Sequence, residues 1–332
     1  MPSEPAAIER LKGVVLGAAS PDGGWPYYAG KKSRVEPTCW ALMALSGTAD
    51  DAVDRSKLAG PHLQWLARTQ RADGLLVDEP SAPVNFTSNG LAACALAHLY
   101  AQRAADAVAS GSGVASGSRD GRTSGRYVAS GFSRTSVNLS RLLDALISVK
   151  GLSVNEPDPR QDNRLQGWPW MADTFSWLEP TAWCVLALKK AGKEKRGAAA
   201  RIDEADKLIA NRVCEAGGWN YGNASVVGQD LRPYVPTTAI ALLAMRDRRQ
   251  SAAVERSVAW LRDARSKEPS ATALSLASLA LRVYGLPVED VEARLAEDVD
   301  RAIQLGNVQA LAMMLYALTA PTHGVKALLV DA

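Results

Sequence analysis

The segment Gly24-Trp25-Pro26-Tyr27, followed by Glu36-Pro37-Thr38-Cys39-Trp40-Ala41-Leu42, returns later in the chain as Gly167-Trp168-Pro169-Trp170 and Glu179-Pro180-Thr181-Ala182-Trp183-Cys184-Val185. Each copy is a Gly-Trp loop, then Pro-Thr, then an apolar run rich in small residues. Three further copies are Gly218-Trp219-Asn220-Tyr221 with Val235-Pro236-Thr237-Thr238-Ala239, the weaker Gly74-Leu75 with Phe86-Thr87-Ser88, and Glu268-Pro269-Ser270-Ala271 without a Trp loop. Such a repeat predicts an array in which each unit buries its apolar face against its neighbours.

The composition is that of an ordinary globular protein. The chain has 332 residues, of which 47% are hydrophobic and 22% are charged, and its formal net charge is +3. Basic and acidic residues alternate along the amphipathic segments. This pattern predicts a solvated surface and argues against a nucleic-acid interface.

The N-terminal region lacks the pattern of a secretory signal, because residues 1–5 carry no basic segment and Lys12 and Gly13 interrupt the first apolar stretch. No apolar run approaches the roughly 20 residues that a membrane-spanning helix needs. Four cysteines lie within apolar helical stretches, which predicts buried, reduced thiols. We therefore expect a cytoplasmic protein without a transmembrane segment.

Two kinds of helix are predicted to alternate along the chain. The charged, amphipathic kind is expected at 4–17, 51–70, 134–150, 197–213, 250–265 and 288–305. The kind that is apolar nearly all round is expected at 37–45, 87–101, 180–190, 236–245, 269–284 and 308–319. Because only an enclosed helix can be apolar on every face, six of each predict an all-α (α/α)6 toroid, with the apolar helices inside. We expect one domain over 1–332, with a flexible Gly/Ser-rich insertion at about 109–133.

The Pro-Thr and Pro-Ser starts indicate where the inner helices begin. Proline suits a first helical turn, and a Thr or Ser hydroxyl can satisfy free N–H groups there. Since all inner helices run in the same direction, their starts are expected to surround one mouth of the barrel. The Trp loops would then line that mouth.

The Gly-Trp loops and the following Pro-Thr helices resemble the prenyltransferase and squalene-cyclase repeats of the terpenoid cyclase and protein prenyltransferase superfamily. The similarity covers about residues 20–320 and is stronger in spacing than in any single motif. It implies an α/α toroid whose central cavity holds an isoprenoid chain. The sequence departs from the family, because it contains no Asp-x-Asp-Asp tetrapeptide and no Cys-Gly-Glu-Gln motif.

Metal ligands of the family's protein prenyltransferases are also not matched. The nearest counterparts of their Asp-x-Cys pair are Glu36 with Cys39 and Glu179 with Cys184, which have a different acid and spacing. Cys94 and His98 are four apart on an apolar helix and so share a face, but further zinc ligands are not evident. We expect no metal and no cofactor.

Three acids are candidates for handling a proton. Glu36 and Glu179 precede equivalent inner helices, and Asp173 lies between two tryptophans in a loop. In an aromatic-walled cavity, desolvation would raise the pKa of such a carboxyl group and keep a proton available for general acid catalysis. The alternative is structural, because a carboxylate at a helix N-terminus is stabilised by the helix dipole.

The aromatic residues are concentrated in the loops and at the starts of the inner helices. They can line a ligand site, since tryptophan and tyrosine with one wet edge suit a cavity wall, or they can pack the loops against the helices. The predicted ligand-binding set is Trp25, Tyr27, Tyr28, Trp40, Trp168, Trp170, Trp177, Trp183, Trp219, Tyr221 and Tyr234.

Three functions remain open on the sequence. The first is a prenyltransferase- or cyclase-like toroid that binds an apolar, isoprenoid-like small molecule and performs acid-initiated cyclisation or prenyl transfer. The second is a non-catalytic toroid that binds a protein partner. The third is a carbohydrate-active toroid in which paired carboxylates act on sugars held by aromatic platforms.

Overall fold

The computed structural model describes residues 4–48, 52–109, 136–155, 160–226 and 228–330. Beyond Ala109, the predicted insertion lies outside these residues. The helices are α1 (Glu4–Gly17), α2 (Val35–Thr48), α3 (Ala52–Thr69), α4 (Phe86–Ala109), α5 (Leu139–Ser148), α6 (Leu178–Ala187), α7 (Ala198–Asn211), α8 (Val235–Ala244), α9 (Ala252–Ala264), α10 (Ala271–Val283), α11 (Glu289–Glu297), α12 (Val299–Leu305) and α13 (Val308–His323).

Short elements complete the fold of the described residues. A π-helical turn at Leu188–Gly192 continues α6, and 3-10 turns follow α8 and α9 at Arg246–Arg248 and Arg265–Lys267. Two strands, Ser225–Val226 and Gln229–Asp230, pair in an antiparallel hairpin. The last outer segment, predicted as one helix, is divided at Asp298 into α11 and α12.

The six apolar helices form a closed ring. Around it α2 packs on α4, α4 on α6, α6 on α8, α8 on α10 and α10 on α13, and α13 returns to α2. The amphipathic helices pack against the outside of this ring, and α1 covers α13. The all-α toroid predicted from the alternating helices is confirmed.

Small residues allow the inner helices to approach closely. At Gly90 of α4, an added Cβ would lie 2.7 Å from the backbone nitrogen of Cys184 in α6. No larger residue fits there without moving the helices apart. Among the described residues, no helix is both long enough and apolar enough to cross a membrane.

The Gly-Trp and Pro-Thr parts of the repeat are joined by one recurring hydrogen bond. The backbone N–H of the tryptophan donates to a threonine hydroxyl in the next inner helix: Trp25 to Thr38 at 2.8 Å, Trp168 to Thr181 at 2.9 Å and Trp219 to Thr238 at 2.9 Å. We expected these hydroxyls to satisfy N–H groups of their own helix. They bind the preceding loop instead, because the loop N–H groups need acceptors where they are buried.

The indole of each of these tryptophans ties the loop to the outer helix before it. Nε1 donates to the carbonyl of Val15, Leu146 or Ile209 at 2.7 to 2.8 Å. The glycine before the tryptophan is required because the threonine hydroxyl packs directly against it. A Cβ at Gly167 would lie 2.1 Å from the Thr181 hydroxyl oxygen.

Candidate active site

A cavity of about 220 Å³ opens where the inner helices begin. Its wall is built from the first turns of α2, α6, α8, α10 and α13, with Tyr221 from a loop. The N-terminal ends of these five helices therefore surround one mouth of the ring, as their common direction predicts.

The wall has two layers. Each of the five helices contributes its second residue and the residue four further on, which lie on one face about one turn apart. The upper layer is mostly polar and the lower layer is apolar. The pairs are Glu36 and Trp40, Glu179 and Trp183, Pro236 and Ile240, Thr272 and Leu276, and Gln309 and Met313.

Glu36 is held by side chains from two other elements. The Tyr27 hydroxyl donates to Oε2 and the Gln309 amide donates to Oε1, each at 2.8 Å. Burial raises the pKa of the Glu36 carboxyl above its ordinary value, and both hydrogen bonds act in the opposite direction. The start of α2 is capped by Asp78, whose Oδ1 accepts from the Val35 N–H at 2.7 Å.

Glu179 is the second carboxyl group of the cavity. Burial, then the negative charge of Glu36, raise its pKa to about 7, while a hydrogen bond from Trp170 lowers it. A carboxylate stabilised only by the dipole of α6 would show the opposite shift. Desolvation therefore outweighs the helix dipole at this position.

The two environments favour different protonation states. Glu36 accepts two hydrogen bonds, which favour its carboxylate, and Glu179 is opposed by the charge that Glu36 then carries. These contacts favour the carboxylate form at Glu36 and the protonated form at Glu179. Enzymes that use acid–base catalysis commonly have two carboxyl groups whose environments favour different protonation states.

Trp40 and Trp183 form the floor beneath these carboxyls. Their ring centroids lie 5.9 Å apart with an interplanar angle of 78°, an edge-to-face arrangement. Both are 2% exposed. The structure thus brings together five of the predicted site residues: two acids above, two indoles below, and Tyr221 from a loop.

A second group of predicted aromatics lies beside the mouth. Trp170 stacks on Trp177 with centroids 4.7 Å apart, and Tyr221 lies 6.2 Å from Trp170 and 5.5 Å from Tyr234. Only Tyr221 of this group lines the cavity. Tyr221 and Tyr234 are 40% and 50% exposed. They form an aromatic rim between the cavity and the surface.

Trp25, Trp168 and Trp219 lie elsewhere. They are fully buried behind the inner helices, and their indole N–H groups are bonded to outer-helix carbonyls. The sequence predicts that they contact a ligand, but no face of these rings is exposed to the cavity or to solvent. They pack the loops against the helices.

Three other predicted residues also lie outside the cavity wall. Asp173 is exposed on a turn with a φ of 60°, and the structure does not bring it to Glu36 and Glu179. Its predicted role with a proton is therefore not supported by its location. Tyr28 is 51% exposed, and Tyr27 acts on Glu36 through its hydroxyl.

The sequence patterns did not identify Gln309, Thr272 or Met313 as site residues. Gln309 lies in the first turn of α13, a helix without a Pro-Thr start, so the repeat gave no reason to select it. Aligning the inner helices by their starts would have found it, since Gln309 is the second residue of α13 as Glu36 is of α2.

No metal-binding group emerges from these residues. Among the described residues, no cluster of three or more His, Cys, Asp and Glu side chains could hold a metal ion. Burial raises the pKa of the Cys94 thiol to about 12, and its Sγ lies 3.9 Å from the Trp183 carbonyl oxygen. The thiol is thus a buried neutral group.

No family model and no curated protein matches this chain. Solved structures of several kinds of protein resemble this chain. A protein from Actinoplanes is 15% identical with a TM-score of 0.38, covering 96% of this chain and 100% of that one. A wild-type glycosidase is 11% identical, with a TM-score of 0.45 and 96% of each chain covered. A type II terpene cyclase, MstE from Scytonema, is 17% identical with a TM-score of 0.34, covering 78% of this chain and 79% of that one. At these identities and TM-scores the likenesses carry no information on activity.

Proposed function

We propose that this chain is an enzyme that performs acid–base chemistry on a ligand held in the central cavity. One observation carries the proposal: two buried carboxyl groups with different hydrogen-bond donors face the same cavity above a floor of two indoles. Glu179 is the proton donor and Glu36 is the proton acceptor. Neither acts mainly as a cap of its helix.

The substrate we propose is an isoprenoid-like molecule with a carbon–carbon double bond near the mouth. Glu179 gives its proton to one alkene carbon, which leaves a carbocation on the other carbon and a carboxylate on Glu179. The π faces of Trp40 and Trp183 stabilise that cation. Loss of a neighbouring C–H proton to the Glu36 carboxylate ends the reaction, so substrate and product are isomers.

Deuterium incorporation tests this chemistry directly. Linear isoprenoids of increasing length are incubated with the protein in D2O, and the products are separated and weighed by mass spectrometry. Alkene protonation by Glu179 places one deuterium on carbon, and Glu179→Gln should lower the rate by about a hundredfold or more. Unchanged turnover in Glu179→Gln would remove the proposal.

Glu268→Gln is the matched control for this test. Glu268 precedes α10 in a Glu-Pro sequence like those of Glu36 and Glu179, but its Oε1 accepts from the Ser270 N–H at 2.9 Å and it does not line the cavity. Its replacement should leave turnover unchanged.

A carbohydrate-active toroid is the second candidate. The hydroxyl groups of Thr237, Ser270 and Thr272, which line the cavity beside the two carboxyls, favour it. Release of reducing ends from oligosaccharides, lost in Glu179→Gln, would support it over the isoprenoid reaction. Binding of a protein partner without catalysis is favoured less, because the centre of the ring is open at this mouth.

We also propose that the protein works in a reducing compartment such as the cytoplasm. All four cysteines are free and buried. Unpaired thiols are the rule where disulfides are kept reduced.

A further inference from the structure

A second cavity, of about 670 Å³, lies toward the other end of the inner ring. Its wall includes Met43 from α2 and Thr319 from α13, further along the two helices that also line the first cavity. Between the two cavities, the Trp40 and Tyr316 rings lie 6.4 Å apart. The volume is within the range of about 300 to 1,000 Å³ that is usual for small-molecule sites.

The charges of the two cavities are opposite. The first is lined by two carboxyl groups and no basic side chain. Among the described residues, the wall of the second cavity has one acid, Glu9, and its cationic side chains are Lys12, Arg55 and Lys326, with His98 and His323 beside them. A concave site lined mainly by one sign of charge concentrates ligands of the other sign.

Some of this positive charge is already compensated. Arg55 pairs with Asp106 at 2.6 Å. The Lys12 amine lies 3.4 Å from the Thr48 carbonyl oxygen at the end of α2, where a cation is favoured by the helix dipole. No ion pair to Lys326 is found among the described residues.

The field in the cavity acts on His98. Burial, followed by the positive charges of Lys190 and Lys326, lowers the pKa of His98 to about 4. The imidazole is therefore neutral at physiological pH. It adds no positive charge to that of the two nearby lysines. An anion placed among these groups would be attracted by the same charges.

Tyr316 gives a second, independent indication of a ligand. It lines this cavity and is 4% exposed. Its Oη has no hydrogen-bond partner of ordinary geometry among the described residues. Burial raises the pKa of this hydroxyl, and the nearby backbone N–H of Ala327 opposes that shift only in part. A buried hydroxyl without a hydrogen-bond partner lowers the stability of the fold, so its presence calls for a partner outside the chain. A ligand oxygen in the cavity would accept a hydrogen bond from this hydroxyl.

We propose that this second cavity binds a phosphate-bearing small molecule, with Lys12, Lys326 and the Tyr316 hydroxyl as its donors. Ammonium groups bind phosphate as point charges, and a charge-assisted bond from Tyr316 adds direction. The site is independent of the Glu36–Glu179 pair. It holds whether or not the acid–base proposal survives.

The three histidines of the chain make the test simple. His98 and His323 line the second cavity, whereas the His62 Nδ1 accepts from the Gly24 N–H in another part of the molecule. Inorganic pyrophosphate and phosphate are titrated into the full chain to millimolar concentrations while the histidine ring protons are followed by NMR. The His98 and His323 signals should shift with one saturating curve, and the His62 signal should not.

Two variants sharpen this result. Lys326→Ala, at an exposed position, should weaken pyrophosphate binding by about tenfold or more, because a hydrogen bond to a charged group is lost. Lys267→Ala, an exposed lysine away from the cavity, is its control and should have no effect. Tyr316→Phe should weaken binding while leaving the protein as stable as before or more so, because it removes a hydroxyl that has no partner without the ligand.

The opposite results would overturn the site. These are no saturable shift of His98 and His323, an equal shift of all three histidines, or equal effects of Lys326→Ala and Lys267→Ala.

Discussion

Glu36 and Glu179 occupy the same position in two copies of the repeat, yet their surroundings differ. Tyr27 and Gln309 donate to Glu36, whereas Trp170 is the donor that acts on Glu179. At the residue scale, the proposed acid–base function depends on this difference. Two identical carboxyls with identical donors would share one proton equally, and neither would be assigned as the acid or the base.

The raised pKa of Glu179 predicts an effect on stability. Its folded-state pKa of about 7 is above the ordinary value of 4.5, so folding favours the protonated form. This contribution is fully present below about pH 4.5 and is lost as the pH rises through 7. At about 1.36 kcal/mol per pH unit, the ionised carboxyl destabilises the fold by about 3 kcal/mol near pH 8.

Glu179→Gln should therefore be more stable than the wild type at about pH 8, and equal to it at about pH 4. Chemical denaturation at the two pH values measures the difference. If Glu179 instead served α6 through the helix dipole, the variant would lose about 0.3 to 1 kcal/mol at the higher pH. Glu268→Gln, which removes the negative charge of the carboxylate that accepts from the Ser270 N–H before α10, should show that loss.

At the element scale, the repeat is a loop fixed at three points. The tryptophan N–H binds the threonine of the next inner helix, its indole binds the previous outer helix, and the glycine before it makes room for the threonine. The sequence showed that glycine, tryptophan and threonine recur together. It did not show which atoms join them, because the two partners are far apart in the chain. Thr181, for example, lies 13 residues after Trp168, whose backbone N–H donates to it.

Thr181→Val tests this linkage, since it keeps the shape of the side chain and removes the acceptor. The buried Trp168 N–H would then lose its partner, and we expect a loss of about 1 to 3 kcal/mol in the free energy of unfolding. Thr174→Val, at a half-buried position in the preceding loop where the hydroxyl makes only a solvent-exposed bond to the Met171 carbonyl, is the control and should cost less than about 0.5 kcal/mol. Equal losses in the two variants would contradict the linkage.

At the scale of the whole molecule, the two ends of the chain complete the ring. Helix α13 packs on α2, and α1 covers α13 from outside. The first cavity depends on this closure, because Gln309 of α13 then reaches Glu36 of α2. We propose that 1–332 folds as one unit for the same reason.

Leu11→Ala tests whether closure is cooperative. Leu11 in α1 is fully buried, and its truncation should cost about 2 to 5 kcal/mol. Hydrogen exchange should show faster opening of α13, far away in sequence, together with α1. Leu16→Ala in the same helix, where Leu16 is 39% exposed, is the control and should cost less than about 1 kcal/mol. Loss of protection confined to α1 would mean that the ring closes without it.

The sequence by itself determined the helices, their inner or outer place and the common mouth of their starts. These follow from periodicity and from chemistry within one repeat, where interacting residues are near in the chain. Only the tertiary structure decided that Glu36, Glu179 and Gln309 share a cavity, that Asp173 and five of the predicted tryptophans do not line it, and that a basic cavity lies below. Desolvation and charge interactions depend on distances across a closed ring, and no local pattern encodes those distances.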